Sequence, residues 1–242
     1  MTRKLIDSHF HLDHYRNHKE LYDAINRLEQ YTLCVTNTPG VFVSCKNLYK
    51  ETKYVKFALG FHPQEKSLSA KDFSDFMILI NRTNYVGEVG MDFSSDDYIT
   101  KEQQLDFFGR IVDLCASRNK LLSVHLRKSE TEAIDIIRRY HPKRCIIHWF
   151  TGTTTQLEEL ITLGCYFSIN SNMVRNKSSN SKLLVIPQNR ILVESDGPFT
   201  KVDGKKYTPE LLLPAYQTIA QYFQNPDIID QVYINFKKLL LR

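Results

Sequence analysis

Short apolar runs rich in β-branched and aromatic residues recur along this chain, each followed by a longer stretch with apolar residues at helical spacing. Eight runs stand out as strands, at residues 4–7, 32–36, 55–61, 85–89, 121–125, 145–148, 165–169 and 191–194. The amphipathic stretches 21–31, 73–83, 101–119, 130–140, 155–163, 182–186 and 209–223 predict helices, and 226–240 one more at the C-terminus. Alternating β and α elements imply a parallel sheet with helical crossovers. With no Gly/Ser-rich linker to divide it, the chain fits an α/β fold of one domain over 1–242. The expected architecture is a (β/α)8 TIM barrel with an extra C-terminal helix; a doubly wound open sheet is the alternative. The polar and basic patch 170–182 reads as a loop after the seventh strand.

Composition narrows the class without naming it. Hydrophobic residues make up 42% and charged residues 24%, ordinary for a globular protein, and no apolar run nears the roughly 18 residues of a membrane span. The start lacks the apolar core of a signal peptide, and Cys34, Cys45, Cys115, Cys145 and Cys165 form no C-x-x-C pair. Reduced thiols and a cytoplasmic location are expected. A net charge of +5 permits a polyanionic substrate without arguing for one.

The chemistry begins at Asp7-Ser8-His9-Phe10-His11, where the first apolar run ends. Two imidazoles one residue apart at a strand end face the same way, which makes half a metal site. Glu88, His125, His148 and Asp196 each sit at or just beyond the end of another run. In a parallel barrel all of these ends meet on one face, where such barrels build their active sites. Imidazoles and carboxylates without cysteine suit divalent ions such as Mg, Mn or Zn that keep a position open for water. One division puts His9, His11 and Asp196 on one ion and His125 with His148 on a second, Glu88 bridging. Asp196 could then also take the proton of an attacking water.

Neighbouring residues leave alternatives open. Asp7 could orient a ligand histidine or cap the following loop. His62 could touch a phosphate or fix a turn, and Arg127 suits a phosphate or a neighbouring loop. Asp92 could stabilise its loop or shape the site. Trp149 and Phe150 could stack bases or pack in the core, and Arg175, Lys177 and Lys182 could form a phosphate funnel or a solvated loop.

Taken in order, Asp7-x-His9-x-His11-Leu12-Asp13, Gly60-x-His62-Pro63, Gly87-Glu88-Val89-Gly90-Met91-Asp92, Val124-His125-x-Arg127, His148-x-Phe150-Thr151-Gly152 and Glu194-Ser195-Asp196-x-Pro198 resemble the TatD-like metal-dependent deoxyribonucleases of the amidohydrolase superfamily. The resemblance runs from about residue 5 to the closing Asn235-Phe236-x-x-Leu239. It implies a (β/α)8 fold, a site of two or three divalent ions, and hydrolysis of DNA phosphodiesters with a metal-activated water. By position it implies His9, His11, Glu88, His125, His148 and Asp196 as ligands and Glu194 as help for a further ion; the reading of the residues themselves takes Asp196, as base, and Glu88, as bridge, to be catalytic. Gly197, Phe199-Thr200, Trp149 and Ile111 depart from the family's usual residues, which bears on substrate preference. The divergence is similar to the QatD branch of anti-phage gene clusters, which would imply partner proteins including an ATPase. Two other readings keep the same residues: a metal-dependent amide or ester hydrolase, and a barrel subunit of a defence assembly whose hydrolysis needs its partners.

Overall fold

The computed structural model describes residues 4–66, 68–94, 99–175 and 181–242. Parallel strands β1 (Ile6–Phe10), β2 (Tyr31–Cys34), β3 (Val55–Phe57), β4 (Leu59–Phe61), β5 (Tyr85–Asp92), β6 (Leu121–Arg127), β7 (Cys145–His148), β8 (Tyr166–Ile169) and β9 (Ile191–Val193) succeed one another in chain order. The run 55–61 is one barrel position made in two pieces. β3 pairs with β2, the Ala58 N–H then donates to Cys34 O at 2.8 Å, and β4 pairs with β5. β9 returns to β1, where Ser8 Oγ donates to Val193 O at 3.0 Å and the Asp196 N–H to His9 O at 2.9 Å. The sheet is thus closed on itself as a (β/α)8 barrel, and the open-sheet alternative falls.

Helices α1 (His18–Arg27), α2 (Pro39–Leu48), α3 (Ala70–Leu79), α4 (Lys101–Ser117), α5 (Glu130–Tyr140), α6 (Thr154–Thr162), α7 (Ser171–Arg175), α8 (Leu212–Phe223) and α9 (Ile228–Leu240) complete the fold. Reciprocal caps start three of them: Ser69 with Asp72, Thr100 with Gln103, and Thr153 with Gln156. Each pair satisfies amide donors that the first helical turn leaves over. β1, β7, β8 and β9 are buried along their full length, because side chains fill the barrel inside and helices cover it outside.

Several elements differ from the sequence expectation. α2 lies where no element was expected; its signal was Thr38-Pro39, an N-cap whose hydroxyl accepts from Val41 N at 3.1 Å before a first-turn proline. Tyr31 opens β2 instead of ending a helix. β1 and β5 run three residues further than expected, to Phe10 and Asp92, and β6 two, to Arg127. The described ends of the patch read as a loop are helical, α7 and a 3-10 turn over Ser181–Val185. A small hairpin, β10 (Lys201–Val202) with β11 (Lys205–Lys206), turns at Asp203-Gly204, both at positive φ (50° and 77°). No helix among the described residues is long and apolar enough to cross a membrane.

Two glycines let the barrel close around its site. At Gly60 a Cβ would meet Thr36 O at 1.4 Å, and at Gly90, where φ is +155°, it would meet His125 O at 1.9 Å. Gln104 of α4 fixes the end of β5, accepting from Asp92 N at 2.8 Å and donating to Asp92 O at 3.2 Å.

Candidate metal centre

The carboxyl ends of the strands converge on a cavity of about 710 Å³. His9 lies within β1 and His11 one residue beyond it, so the alternating strand brings both rings to the same side. The loop after β9 carries Asp196 alongside them, through bonds from Asp196 N to His9 O (2.9 Å) and from His11 N to Gly197 O (3.0 Å). Glu88 enters from the middle of β5, His125 from β6 and His148 from the end of β7.

The donor atoms separate into two sets that share one carboxylate. Glu88 Oε2 lies 3.4 Å from His9 Nε2 and 3.2 Å from His11 Nε2. Asp196 Oδ1 lies 3.7 Å and 3.4 Å from the same two atoms. Glu88 Oε1 faces the other way, 2.9 Å from His125 Nδ1, 3.2 Å from His148 Nε2 and 3.3 Å from His62 Nε2. Donors about 2.0–2.1 Å from one tetrahedral ion sit roughly 3.4 Å from each other, so His9, His11 and Asp196 are spaced to share a cation, while around Glu88 the close donor groups are His9 with His148 and His62 with His125, not the expected His125 with His148.

Hydrogen bonds behind the rings decide which nitrogen can act as a ligand. His125 turns Nε2 toward Asp92 Oδ2 (3.1 Å), and His148 turns Nδ1 toward both Glu194 oxygens (3.3 Å each). His9 Nδ1 meets Ser123 Oγ at 2.8 Å. With the ring proton on the carboxylate side, His125 and His148 present a lone pair to the cavity. His62 differs: its Nδ1 accepts from the Gln64 N–H at 3.1 Å, so its proton belongs on Nε2 and faces Glu88. It therefore offers a donor where the other rings offer lone pairs.

Charge follows this arrangement. Burial works against the Glu88 charge, yet the surrounding His62, His148, His11 and His125 hold its carboxyl well below the usual range. Burial also opposes the His11 charge, but Asp196 and Glu88 outweigh it and push the ring up to about 10. His62 goes the other way, lowered by burial despite Glu88. Asp92 would rise through burial, but bonds from His125 and Ser94 hold it at about 2. The carboxylates thus draw positive charge into the cluster, in the form of protons unless a cation replaces them.

The remaining expectations sort by contact. Asp7 approaches no imidazole nitrogen; its Oδ1 accepts from Ser195 N at 2.9 Å and its Oδ2 from Tyr207 OH at 3.1 Å, which ties β1 to the Asp196 loop. Glu194, expected to serve a further ion, stands behind His148, where its carboxylate also accepts from Ser168 Oγ and from Asn170 Nδ2 at 2.9 Å. It belongs to none of the described donor clusters. Arg127 is exposed and lines the cavity, without an ion pair among the described residues. Trp149 also lines it, while Phe150 is buried in the core. The phosphate funnel does not form from its described members. Lys182 is held by Thr151 O at 2.9 Å and by Gly152 O, Arg175 by Lys201 O at 2.8 Å, and Lys177 lies outside the described residues. Sequence reasoning missed Ser123, Asn37, Gln64 and the half-exposed Phe199, whose ring lies edge-on to His11. Phe199 carried a signal, as a departure beside the last motif; the others had none.

The family model of the TatD-related DNases matches residues 6–241 of this chain. The chain belongs to that family. As a TatD protein it is a metal-dependent hydrolase acting on ester bonds. It is 28% identical to an uncharacterised metal-dependent hydrolase of Buchnera aphidicola over 225 residues, covering 81% of each chain. It is 32% identical over 171 residues to a putative deoxyribonuclease TATDN1 homologue of Vairimorpha ceranae, covering 70% of this chain and 62% of that one. With the human deoxyribonuclease TATDN3 it shares 25% over 213 residues, 80% of this chain and 78% of that one. The crystal structure of a TatD homologue from Escherichia coli K12 superposes with a TM-score of 0.86 at 19% identity, covering 99% of this chain and 98% of that one. That likeness shows the TatD barrel.

Proposed function

We propose that this TatD protein hydrolyses DNA phosphodiester bonds at a centre of two divalent cations, with Glu88 as the bridge. The observation that carries the reading is the division of the Glu88 carboxylate, Oε2 toward His9 and His11 and Oε1 toward His125 and His148. Asp196 completes the first set. The deoxyribonuclease names of several relatives favour DNA as the substrate. Two bound cations would supply Lewis acidity and a nucleophilic water at neutral pH.

The side chains have separable tasks. Asp196 holds Oδ1 at the first donor set and has its second oxygen free to accept the proton of the attacking water. His62, neutral with its proton on Nε2, donates to a non-bridging phosphate oxygen, and Arg127 pairs with the phosphate at the rim. Asp92, Glu194 and Ser123 hold the rings of His125, His148 and His9 at fixed angles, so the donors need no rearrangement on binding. Membership of the QatD branch is a narrower statement than the family match carries, and this function does not depend on it.

The test is degradation of end-labelled single- and double-stranded DNA by stripped protein resupplied with Mg²⁺, Mn²⁺ or Zn²⁺. Cleavage should need the metal and fall about 10³-fold in Asp196→Asn and Glu88→Gln. No cleavage with any ion, although metal binds these residues, would move the reading to another ester or to partner-dependent hydrolysis.

A further inference from the structure

The barrel has a second face, formed where the helices end and the strands begin, and its charge is unlike that of the rest of the molecule. The connectors there, with the residues just before β1 and after α9, carry ten lysines and arginines: Lys4, Lys50, Lys53, Arg82, Arg118, Lys143, Arg144, Arg190 and Arg242, exposed or half-buried, and Lys120, which is buried. They carry three acids, Glu29, Glu51 and Asp227, and Glu51 is already paired with Lys46 at 3.0 Å. The excess on this face is larger than the net +5 of the chain, so the remainder of the protein is net negative.

None of the ten makes an ion pair with an aspartate or glutamate among the described residues. Cations on the helical flanks do: Lys19 with Asp23, Lys71 with Asp75, Arg110 with Asp106 and Arg138 with Glu159. Several of the basal cations instead bond to carbonyls and amides of neighbouring connectors, which knits them into one surface. Arg118 donates to Asn81, Lys120 to Thr83 O, and Arg144 and Asn119 to Arg242 O. Arg242 and Arg190 both donate to Gly164 O, and both guanidinium groups sit 5.0 Å from the Tyr166 ring. Beside this ring of charge a hollow of about 440 Å³ opens, lined in part by Lys56, Arg82, Asn81 and Asn84 and by the paired Lys46 and Glu51.

Complementing the helix ends does not account for all of this charge. Each helix C-terminus contributes about half a negative unit, so a ring of them takes back roughly half of the excess. Like charges gathered on one face and left unpaired raise its potential and repel one another unless a polyanion covers them. We propose that this face, opposite the metal centre, binds the phosphate backbone of a DNA strand and tethers the polymer while its end is worked on at the mouth. The choice of polyanion rests on the DNA reading above; the charged surface does not.

The test compares two triple variants of equal net charge. Arg82→Glu/Arg118→Glu/Lys143→Glu alters the face, and Lys19→Glu/Lys71→Glu/Arg110→Glu alters the flanks. Binding of a fluorescent single strand of about 30 nucleotides is titrated against salt in an Asp196→Asn background, which keeps the strand intact. The basal triple should lose about tenfold or more in affinity near 0.1 M salt, and its log K–log salt slope should fall by about two. The flank triple should lose far less. Both triples, with Asp196 present, should hydrolyse a small phosphodiester such as bis(p-nitrophenyl) phosphate as the parent does, which shows that each is folded. Equal losses in the two triples, no loss in either, or competition by polyglutamate as strong as by unlabelled DNA would overturn the proposal. Basal-charge-dependent binding without DNA cleavage would leave the tether standing and sink the nuclease reading instead.

Discussion

At Glu88 a single side chain does the work of joining two donor sets, and the residues around it can be told apart by what loses function when each is changed. His62 and His125 both lie near Glu88 Oε1, yet only His125 turns a lone pair to it. His62→Gln should therefore keep full metal content by elemental analysis while DNA cleavage falls about 10²-fold, whereas His125→Gln should lose metal. Titration at His11 gives a second prediction. Its ring stands at about 10 in the folded protein against 6.5 as its ordinary value. A raised value stabilises the fold fully below the ordinary value and ceases to do so as pH rises through the folded one. Chelator-treated protein should therefore lose thermal stability between about pH 6.5 and 10, and metal-loaded protein much less, since a cation replaces that proton. A melting curve of the stripped protein that is flat over this range would contradict the assigned contacts. These candidate donors were legible in sequence because each is a rare residue type at the end of an apolar run. Ser123 was not, since nothing distinguishes a serine in a strand until the fold aims it at His9 Nδ1.

The elements show why the ligands meet at all. β5 carries Glu88 and Asp92 on one strand, and β6 carries His125 and Arg127 two residues apart, so register alone brings Asp92 behind His125. That register depends on Gly90, where a Cβ would meet His125 O at 1.9 Å. Gly90→Ala should cost about 3 kcal/mol or more in urea unfolding, through clash and unfavourable φ, with metal affinity lost alongside. An unchanged midpoint would show that β5 and β6 can separate without harm to the site. At this scale the sequence marked long periodic helices such as α4 and α5 well, because their amphipathic repeat is local. It missed α2, whose local cap at Thr38-Pro39 was passed over, and overran into β2, because the helical pattern at Tyr31 is overridden by packing in the closed barrel.

Over the full barrel, two poles are chemically distinct: donors and carboxylates at the mouth, unpaired cations at the base. The mouth draws ligands from β1, β5, β6, β7 and the loop after β9, so a cation bound there cross-links both ends of the chain. Saturating metal at about 100 times its dissociation constant would add about 2.7 kcal/mol to folding stability. For a domain of this size that should raise the melting temperature by about 5–10 °C, reversed by chelation and abolished in Glu88→Gln. Calorimetry with and without metal measures it, and no shift at a ligand-saturated site would argue against cations bridging these elements.

By itself, the sequence determined the class of fold and picked out the histidines and carboxylates that the fold gathers as candidate metal donors. Strand and helix periodicity is written in local order, and histidines and carboxylates at run ends are rare enough to notice. Tertiary structure alone decided how those donors divide, that His62 presents a proton where its neighbours present lone pairs, and that Glu194 stands behind His148. It also revealed that connectors scattered through the chain form one cationic face. The physical reason is the same in each case: these properties depend on which atoms face each other across strands far apart in sequence, and barrel closure is what sets that.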